Sequence, residues 1–279
     1  MPFILLHAIT ALLYAVLALH FWRTRWHTRP SPAAPAAELA FWERAAILAP
    51  LASHSALIYA DLLAGPELRF GFGAALSAMM WLGVLIYWIE SLFFKLEGMQ
   101  VPVLALAALC SLLPAFFPGL ALAPSATQSA QFRIHLLLAM LAYSFFTIAA
   151  LHALLMTLLE RRLHRGALTG IFSALPPLLT MEILLFRLIG AGFVLLTLTL
   201  ATGVMFSETL FGTALRFNHK TLFALASWII FAALLAGRHF YGWRGRTALR
   251  WTVAGFIALL LAYVGSRFVL EVVLQRSFG

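Results

Sequence analysis

The fold is decided by a stretch in the second half of the chain, residues 181–245. It starts with the apolar run MEILLFRLIGAGFVLLTLTLATGVMF (181–206) and crosses a mixed segment, SETLFGTALRFNHK (207–220). A second apolar run, TLFALASWIIFAALLAG (221–237), follows, and the basic sequence RHFYGWRG (238–245) closes the stretch. Apolar runs of about 17–25 residues joined by a short polar segment are typical of two membrane-spanning helices with a loop between them.

The composition of the whole chain indicates a membrane protein. Of its 279 residues, 63% are hydrophobic and 10% are charged, and the mean hydropathy is +0.96. Apolar surface on this scale needs lipid as its solvent. Cys110 is the single cysteine, so the sequence offers neither a disulfide framework nor a thiol pair. The net charge of +9 comes from basic residues beside apolar runs, a pattern that indicates membrane topology rather than binding to nucleic acid.

Apolar runs of spanning length are distributed along the whole chain. We expect one all-α domain, residues 1–279, built as a polytopic membrane bundle of eight transmembrane helices. The predicted spans are residues 3–22, 44–64, 71–90, 99–121, 134–158, 184–206, 221–237 and 250–270. Arginines follow the first run instead of preceding it, the reverse of a secretory signal, so this run is expected to stay as an anchor.

Positive charges are divided unequally between the connections. The odd-numbered connections contain Arg23, Arg25, Arg29, Lys95, Arg161, Arg162, Arg165, Arg238, Arg244 and Arg246, and the even-numbered ones contain Arg69, Arg216 and Lys220. Because cytoplasmic loops are enriched in Lys and Arg, the odd connections are predicted to be cytoplasmic, with both termini outside. Residues 207–220 then face outward.

Several polar residues and glycines keep a characteristic order within residues 181–245. They are Glu182, Arg187, Gly192-Phe193, Leu195-Leu196-Thr197, Gly203, Trp228 and the GWRG sequence at 242–245. This order resembles the CcsA/HemX-type cytochrome c assembly family, whose multi-span members handle haem at the membrane. The family's outer loop is rich in tryptophan and ends in Trp-Asp-Pro-Lys, whereas here it has no tryptophan and ends in Phe217-Asn218-His219-Lys220. The chain therefore resembles a HemX-like or YpjD-like branch of the bacterial inner membrane rather than a haem–cytochrome ligase.

The resemblance implies that haem is the cofactor and that His135 is its first iron ligand. His135 opens the fifth predicted span and, with Tyr143 and Phe146, is similar to the family's HxxxxxxxYxxF pattern, in which the histidine is an axial ligand. A histidine at this depth also fits a hydrogen bond to a neighbouring loop. The family's second ligand follows the last span, where the sequence VLEVVLQRSFG has no histidine. Arg187 matches the family's arginine and is predicted to bind a haem propionate or to pair with Glu182.

Three other histidines are candidates for a haem site. His219, in the outer loop, is a candidate replacement for the second axial ligand, and its alternative is a solvated histidine beside Lys220. His7 is a further outer candidate. His54 matches a family histidine of an inner haem site, and its alternative is an interhelical hydrogen bond. His239 lies too far towards the boundary to share an iron with His54.

Four acidic or basic residues within or near the spans remain to be interpreted. Arg267 and Glu271, four residues apart on the last span, are expected to neutralise each other. Asp61 and Glu90 lie near helix ends, so their carboxylates are expected to reach the interface, and a role in transport is the alternative.

The sequence contains no nucleophile–base pair, phosphate-binding glycine loop or zinc-ligand spacing, so we expect no enzymatic activity. The leading interpretation is a haem-binding or haem-protein biogenesis factor, in contact with the bilayer and with other membrane proteins of cytochrome or haem biogenesis. His135, Arg187 and the loop to Lys220 would hold the haem edge. Four phenylalanines would pack on its apolar face, or on lipid and the core: Phe206, Phe211, Phe217 and Phe223. The alternatives are a transport or ion-homeostasis component that keeps the fold without haem, and a structural subunit of a larger complex.

Overall fold

The computed structural model describes residues 2–26, 39–63, 68–94, 98–121, 129–164, 178–211 and 219–274. Nearly all of this part of the chain is helical, because a helix satisfies its backbone hydrogen bonds within one segment and lipid offers no others. The helices are α1 (Pro2–Phe21), α2 (Phe41–Ala46), α3 (Leu48–Ile58), α4 (Phe72–Phe93), α5 (Gln100–Phe116), α6 (Ala130–His164), α7 (Leu178–Phe211), α8 (His219–Tyr241), α9 (Gly245–Leu260) and α10 (Ser266–Phe268). π-helical turns extend α1, α3, α9 and α10, at Trp22–Trp26, Tyr59–Leu63, Leu261–Gly265 and Val269–Val273.

Two short strands, β1 (Arg69–Phe70) and β2 (Leu120–Ala121), form an antiparallel ladder where α4 begins and α5 ends. The backbones approach closely there, since a Cβ atom at Gly119 would lie 2.6 Å from the backbone nitrogen of Gly71. Gly119 also has a φ of +72°, in the left-handed region that favours glycine. This ladder ties the two helices together at one end.

Within the residues that the structure describes, seven helical segments are long and apolar enough to cross a membrane. They are Ile4–Trp26, Phe41–Leu62, Phe72–Phe93, Ala130–Leu163, Leu178–Met205, His219–Tyr241 and Gly245–Val273. A further apolar helix, α5, has 17 residues, about 26 Å at 1.5 Å per residue, slightly short of a hydrocarbon core of about 30 Å. The prediction of an all-α polytopic membrane protein is confirmed, whereas the eighth span and the single domain stay predictions.

The helices pack as two groups that meet along α4 and α6. The first group contains α1, α3, α4 and α5, and the second contains α6 to α9. The Ser144 hydroxyl of α6 donates to the carbonyl of Met79 on α4 at 2.9 Å, and Gly83 of α4 lies against Ile148 of α6. Because 144 − 79 and 148 − 83 are both 65, the two helices run parallel with a constant register.

These directions define two ends of the bundle. The Arg25 end holds the last turns of α1, α4 and α6, and the His135 end holds their first turns. The described basic residues of the odd-numbered connections lie at the Arg25 end: Arg23, Arg25, Arg161, Arg162, Arg238, Arg244 and Arg246. Arg133, at the start of α6, is an additional positive charge at the His135 end. The predicted clustering is present, and which end faces the cytoplasm stays a prediction.

Candidate functional site

The glycine-and-aromatic pattern of α7 lies where α6, α7 and α8 meet. A Cβ atom at Gly192 would stand 3.1 Å from the ring of Phe146 on α6. That ring stacks on Phe231 of α8, with centroids 3.9 Å apart, and both rings are fully buried. The absence of a side chain at Gly192 therefore lets three helices close around one aromatic pair.

Trp228 of α8 fixes the register of α8 against α7. Its indole N–H donates to the Thr197 hydroxyl at 2.9 Å, and its ring stacks on Phe193 with centroids 5.5 Å apart. Phe193 and Thr197 are one turn apart on the same helix face, so one tryptophan contacts both. These residues of the ordered pattern hold helices together.

His135 stands at the start of this interface, in the second turn of α6. The ring is partly buried, and its Nδ1 atom lies 3.1 Å from the Thr202 hydroxyl of α7. A Cβ atom at Gly203 would stand 3.2 Å from Cε1 of the same ring. The glycine leaves room for the imidazole, and the threonine orients it.

The hydrogen bonds of Thr202 determine which His135 nitrogen carries the proton. The Thr202 hydroxyl donates to the Leu198 carbonyl at 2.8 Å, with the Thr199 carbonyl at 3.1 Å. Its single proton is therefore used within α7, and its oxygen accepts from Nδ1–H of His135. The backbone carbonyl of Thr199 is a further hydrogen-bond acceptor for the ring. A neutral imidazole with a free lone pair on Nε2 is the form that binds a metal ion.

His219 is the first residue of α8, and its side chain is exposed. The Thr197–Trp228 contact serves as a common reference level for α7 and α8. Along α7, Gly203, which lies beside His135, is six residues or about 9 Å from Thr197 towards the His135 end. His219 is nine residues, about 14 Å, from Trp228 in the same direction, so the two histidines differ by about 5 Å in depth. The structure places both at one end and records no contact between them.

Arg187 does not lie near His135. It is 16 residues from Gly203 on α7, about 24 Å along the helix, and its exposed guanidinium lies 5.5 Å from the ring centroid of Phe94 at the Arg25 end. The expectation that Arg187 and His135 hold one haem edge is not supported by this separation. That Arg187 binds a haem propionate stays a prediction, and such a site would lie at the Arg25 end.

Glu182 finds its partners on α8 and α9 instead of Arg187. One carboxylate oxygen is 2.7 Å from Nη1 of Arg238 and 3.7 Å from Nε of Arg244. The other accepts from the backbone N–H of Gly245 at 3.4 Å. The side chain is largely buried, so the predicted Glu182–Arg187 pair is replaced by a carboxylate that joins α7, α8 and the start of α9.

His54 is fully buried between α1, α3 and α4. Its Nδ1 lies 3.2 Å from the Tyr14 hydroxyl, and its Nε2 lies 2.9 Å from the Ser77 hydroxyl. Both ring nitrogens are thus engaged in interhelical hydrogen bonds, the arrangement given above as the alternative to haem ligation. His239 lies on α8 with an exposed side chain.

A charged cluster accompanies His219 at the His135 end. Nη1 of Arg267 lies 3.7 Å from a carboxylate oxygen of Glu271, and the other oxygen accepts from the backbone N–H of Phe72 at 3.3 Å. Lys220 is close enough for the charges of Arg267 and Glu271 to act on it. The expected Arg267–Glu271 pair is present, and Glu271 additionally caps the start of α4.

For Asp61 and Glu90 the expectation was that each carboxylate reaches the interface or pairs with another group. Asp61 lies 3.4 Å from Nε2 of His7, whose Nδ1–H donates to the Ser111 carbonyl at 2.7 Å. His7 is therefore a buried link between α1, α5 and the turn after α3. One carboxylate oxygen of Glu90 is buried without a hydrogen-bond partner among the described residues.

The proposed apolar face of a haem site is described only in part. Phe223 on α8 is partly buried. Phe206, Phe211 and Phe217 lie outside the residues whose side chains the structure describes. Within the described ranges, no group of three or more His, Cys, Asp or Glu side chains is suited to hold a metal ion.

Two polar contacts in the structure were not predicted from the sequence, one beside His135 and one at the Arg25 end. Thr202 follows Thr197 and Thr199 in a run of similar residues, and nothing local marks it as the partner of His135. Glu43 accepts from Arg25 at 2.6 Å, His20 at 3.1 Å and the backbone N–H of Ala40 at 2.8 Å. Glu43 lies three residues after Ala40, the residue that precedes α2, and this spacing is the sequence signal for such a helix cap.

The fold and this region define a polytopic all-α membrane protein that presents one imidazole beside an aromatic helix interface. Residues 42–274 match the family described as cytochrome c assembly protein. The chain belongs to that family, which confirms the resemblance found in the sequence.

Three relatives show how far the similarity extends. The inner membrane protein YpjD of Escherichia coli K12 is 35% identical over 140 residues, 50% of this chain and 52% of that protein. An uncharacterised 28.8 kDa protein of Azospirillum brasilense is 36% identical over 143 residues, with the same shares. The cytochrome c biogenesis protein CcsA of Prochlorococcus marinus is 37% identical over 89 residues, 32% of this chain and 28% of that protein. The chain thus matches about half the length of the first two, and no solved structure matches it.

Proposed function

We propose that the chain is a haem-binding protein of the bacterial inner membrane that assists cytochrome c biogenesis without bond-forming catalysis. The observation that carries this proposal is the imidazole of His135, whose Nδ1 is held by the Thr202 hydroxyl at the interface of α6 and α7. Family membership supports the process, and the names of the two relatives, an inner membrane protein and a cytochrome c biogenesis protein, support the compartment and the pathway.

The residues at the His135 end fit haem. If bound, haem would supply an iron that accepts imidazole nitrogens as ligands. His135 provides a neutral imidazole with a hydrogen-bonded Nδ1, the arrangement seen in metal-bound histidines. His219, about one helical turn further out, is the proposed second ligand. Lys220 and Arg267 supply positive charge for the carboxylates that haem carries.

We also propose an orientation of the bundle in the membrane. The Arg25 end, rich in arginine, faces the cytoplasm, and the His135 end faces outward. The bilayer and other membrane proteins of cytochrome or haem biogenesis are the proposed partners.

The test of this function is the content of c-type cytochromes in cells that lack the gene. Covalently bound haem, measured by peroxidase staining of denaturing gels, is expected to fall and to return with the wild-type gene but not with His135→Ala. The matched control is His239→Ala, an exposed histidine at the opposite end, which should restore the staining. Unchanged staining in the deletion strain would contradict a role in biogenesis.

A transport or ion-homeostasis role is the second candidate. Two observations on ionisable groups in the first helical group favour it. His7 pairs with Asp61 at 3.4 Å, and Oε2 of Glu90 is buried without a hydrogen-bond partner among the described residues. Ionisable groups within spans are costly in lipid and commonly serve ions or protons. Ion sensitivity of cells carrying Asp61→Asn tests this candidate separately from haem.

A further inference from the structure

Buried polar atoms without a hydrogen-bond partner are concentrated at the Arg25 end of the first helical group. Within the described residues, six of the eight such side-chain atoms belong to residues near this end. They are Nε1 of Trp26, Nε of Arg44, the hydroxyl of Tyr87, Oε2 of Glu90, Oε1 of Gln100 and Nδ1 of His152. Buried polar atoms are nearly always satisfied in folded proteins, so such a concentration indicates a polar ligand or water.

The register of α4 against α6 brings Tyr87 and His152 together. The contacts of Met79 with Ser144 and of Gly83 with Ile148 share an offset of 65 residues. The same offset, one turn further on, places His152 beside Tyr87. Both side chains are almost fully buried.

The register of α4 against α5 brings Gln100 to the same place. A Cβ atom at Gly73 would stand 2.9 Å from the Phe117 carbonyl and 3.1 Å from the Leu113 carbonyl. The helices are antiparallel, so the start of α5 lies beside the last turns of α4. Gln100, the first residue of α5, is buried there, opposite the turn that carries Glu90.

Helix α2 and the end of α1 close the remaining side. The indole N–H of Trp88 donates to the Arg44 carbonyl at 3.0 Å, which holds α2 against α4. The charges of Arg25, Arg44, Glu43 and Glu90 all act on Tyr87. We name the set formed by Arg44, Tyr87, Glu90, Gln100 and His152 the polar chamber.

The charged residues around the polar chamber form no ion pair with Glu90 among the described residues. On the α1 and α2 side, Arg25 is bonded to Glu43, which also binds His20. Arg187 of α7 lies at the next turn of α4, against Phe94. The charges of Arg44 and Glu90 both act on Tyr87, and no ion pair joins Glu90 to a described residue.

We propose that Glu90 is a reversible proton-binding site and that the polar chamber connects it to water at the Arg25 end. The chamber offers donors on Arg44 and Tyr87 and acceptors on Glu90, Gln100 and His152. This mixture of donors and acceptors suits water, and Oε2 of Glu90, buried without a partner among the described residues, is the oxygen that can take a proton from that water. A hydronium ion transfers its proton to Oε2 of Glu90 and leaves as water, and release reverses this step.

The proposal is tested by infrared difference spectroscopy of the full chain in lipid nanodiscs. The pH is stepped between alkaline buffer and about pH 6, a range in which exposed carboxyl groups stay ionised. A carbonyl stretch of a protonated carboxyl group should appear at the acidic step, and it should shift when glutamate is labelled with carbon-13. The band should be lost in Glu90→Gln and kept in Glu160→Gln, a glutamate of α6 paired with the exposed Arg246 at 2.8 Å. Tyr87→Phe should shift the frequency of the band without removing it.

Two results would overturn the proposal. One is a wild-type spectrum with no glutamate-derived band that depends on pH, which needs no variant and so does not depend on folding of one. The other is a band of equal amplitude in wild type and in a folded Glu90→Gln protein.

Discussion

The Nδ1 atom of His135 lies 3.1 Å from the hydroxyl oxygen of Thr202, and the proton of that hydroxyl is directed to the carbonyl of Leu198. Thr202 therefore acts as an acceptor, and it fixes the tautomer and orientation of the imidazole. The relationship joins α6 to α7, and Nε2 of His135 is the nitrogen that we propose as the iron ligand.

Replacing Thr202 by valine is expected to weaken haem binding by about 10–100-fold, the usual effect of removing the hydrogen-bond partner of a metal ligand. The side chain keeps its shape, so the helix contact is retained. Haem titration followed by absorbance measures the affinity. Thr199→Val is the control, because the Thr199 hydroxyl bonds to Leu195 of its own helix. Equal affinities of the two variants would show that Thr202 does not orient the ligand.

Alanine at Gly203 is expected to displace the His135 ring, since the new methyl group would stand 3.2 Å from Cε1. The visible spectrum of the haem complex should change, and haem retention on a desalting column should fall. Gly190→Ala is the matched control on the same helix, where a Cβ atom meets nothing within 4 Å. A haem spectrum of Gly203→Ala identical to that of Gly190→Ala would contradict close packing of the ring on the glycine.

Glu182→Gln is expected to destabilise the folded protein by about 1–3 kcal/mol, because Arg238 and the Gly245 N–H lose a charged partner in a largely buried place. Glu160→Gln should cost about 0–1 kcal/mol, since Arg246 is well exposed. Unfolding in increasing concentrations of a denaturing detergent, followed by circular dichroism, measures the stability of both variants. Equal losses of stability would mean that Glu182 contributes no more than a surface pair.

The proposed orientation predicts that the end of α7, where Ser207 lies, and the C-terminus are outside the cytoplasm. A cysteine in place of Ser207 should react in intact cells with a membrane-impermeant maleimide. A reporter that is active only in the periplasm should be active when fused after Gly279. Cys110 is buried and serves as the unreactive internal control. Labelling only after cell lysis, with an inactive reporter, would reverse the orientation and place His135 on the cytoplasmic side.

The membrane class and the helices were predictable from the sequence because each span is a long apolar run, a signal contained within one segment. The family followed from residues 181–245, where Gly192, Phe193, Thr197 and Trp228 keep their order. The structure adds a physical reason for that order, since these residues contact one another or α6. A local pattern can thus report a tertiary interface.

The partners of the polar residues were not predictable in the same way. Glu182 and Arg187 are five residues apart, yet Glu182 pairs with Arg238, 56 positions away. Arg187 and His135 were expected at one haem edge, but Arg187 lies near the start of α7, whereas His135 of α6 packs against the other end of α7. His54 uses both ring nitrogens on helices that precede and follow its own. Each of these outcomes depends on how helices pack, which spacing along one helix does not contain.

The central claim, that His135 binds haem iron through Nε2, is tested most directly by the absorption spectrum of the purified protein after haem supplementation. We expect a Soret band in wild type and in His239→Ala, and a strongly reduced band in His135→Ala at equal protein concentration. His219→Ala should keep the band but convert low-spin iron to a high-spin or exogenous-ligand-binding form, because one axial position opens. A Soret band of the same height and position in His135→Ala as in wild type would contradict the account.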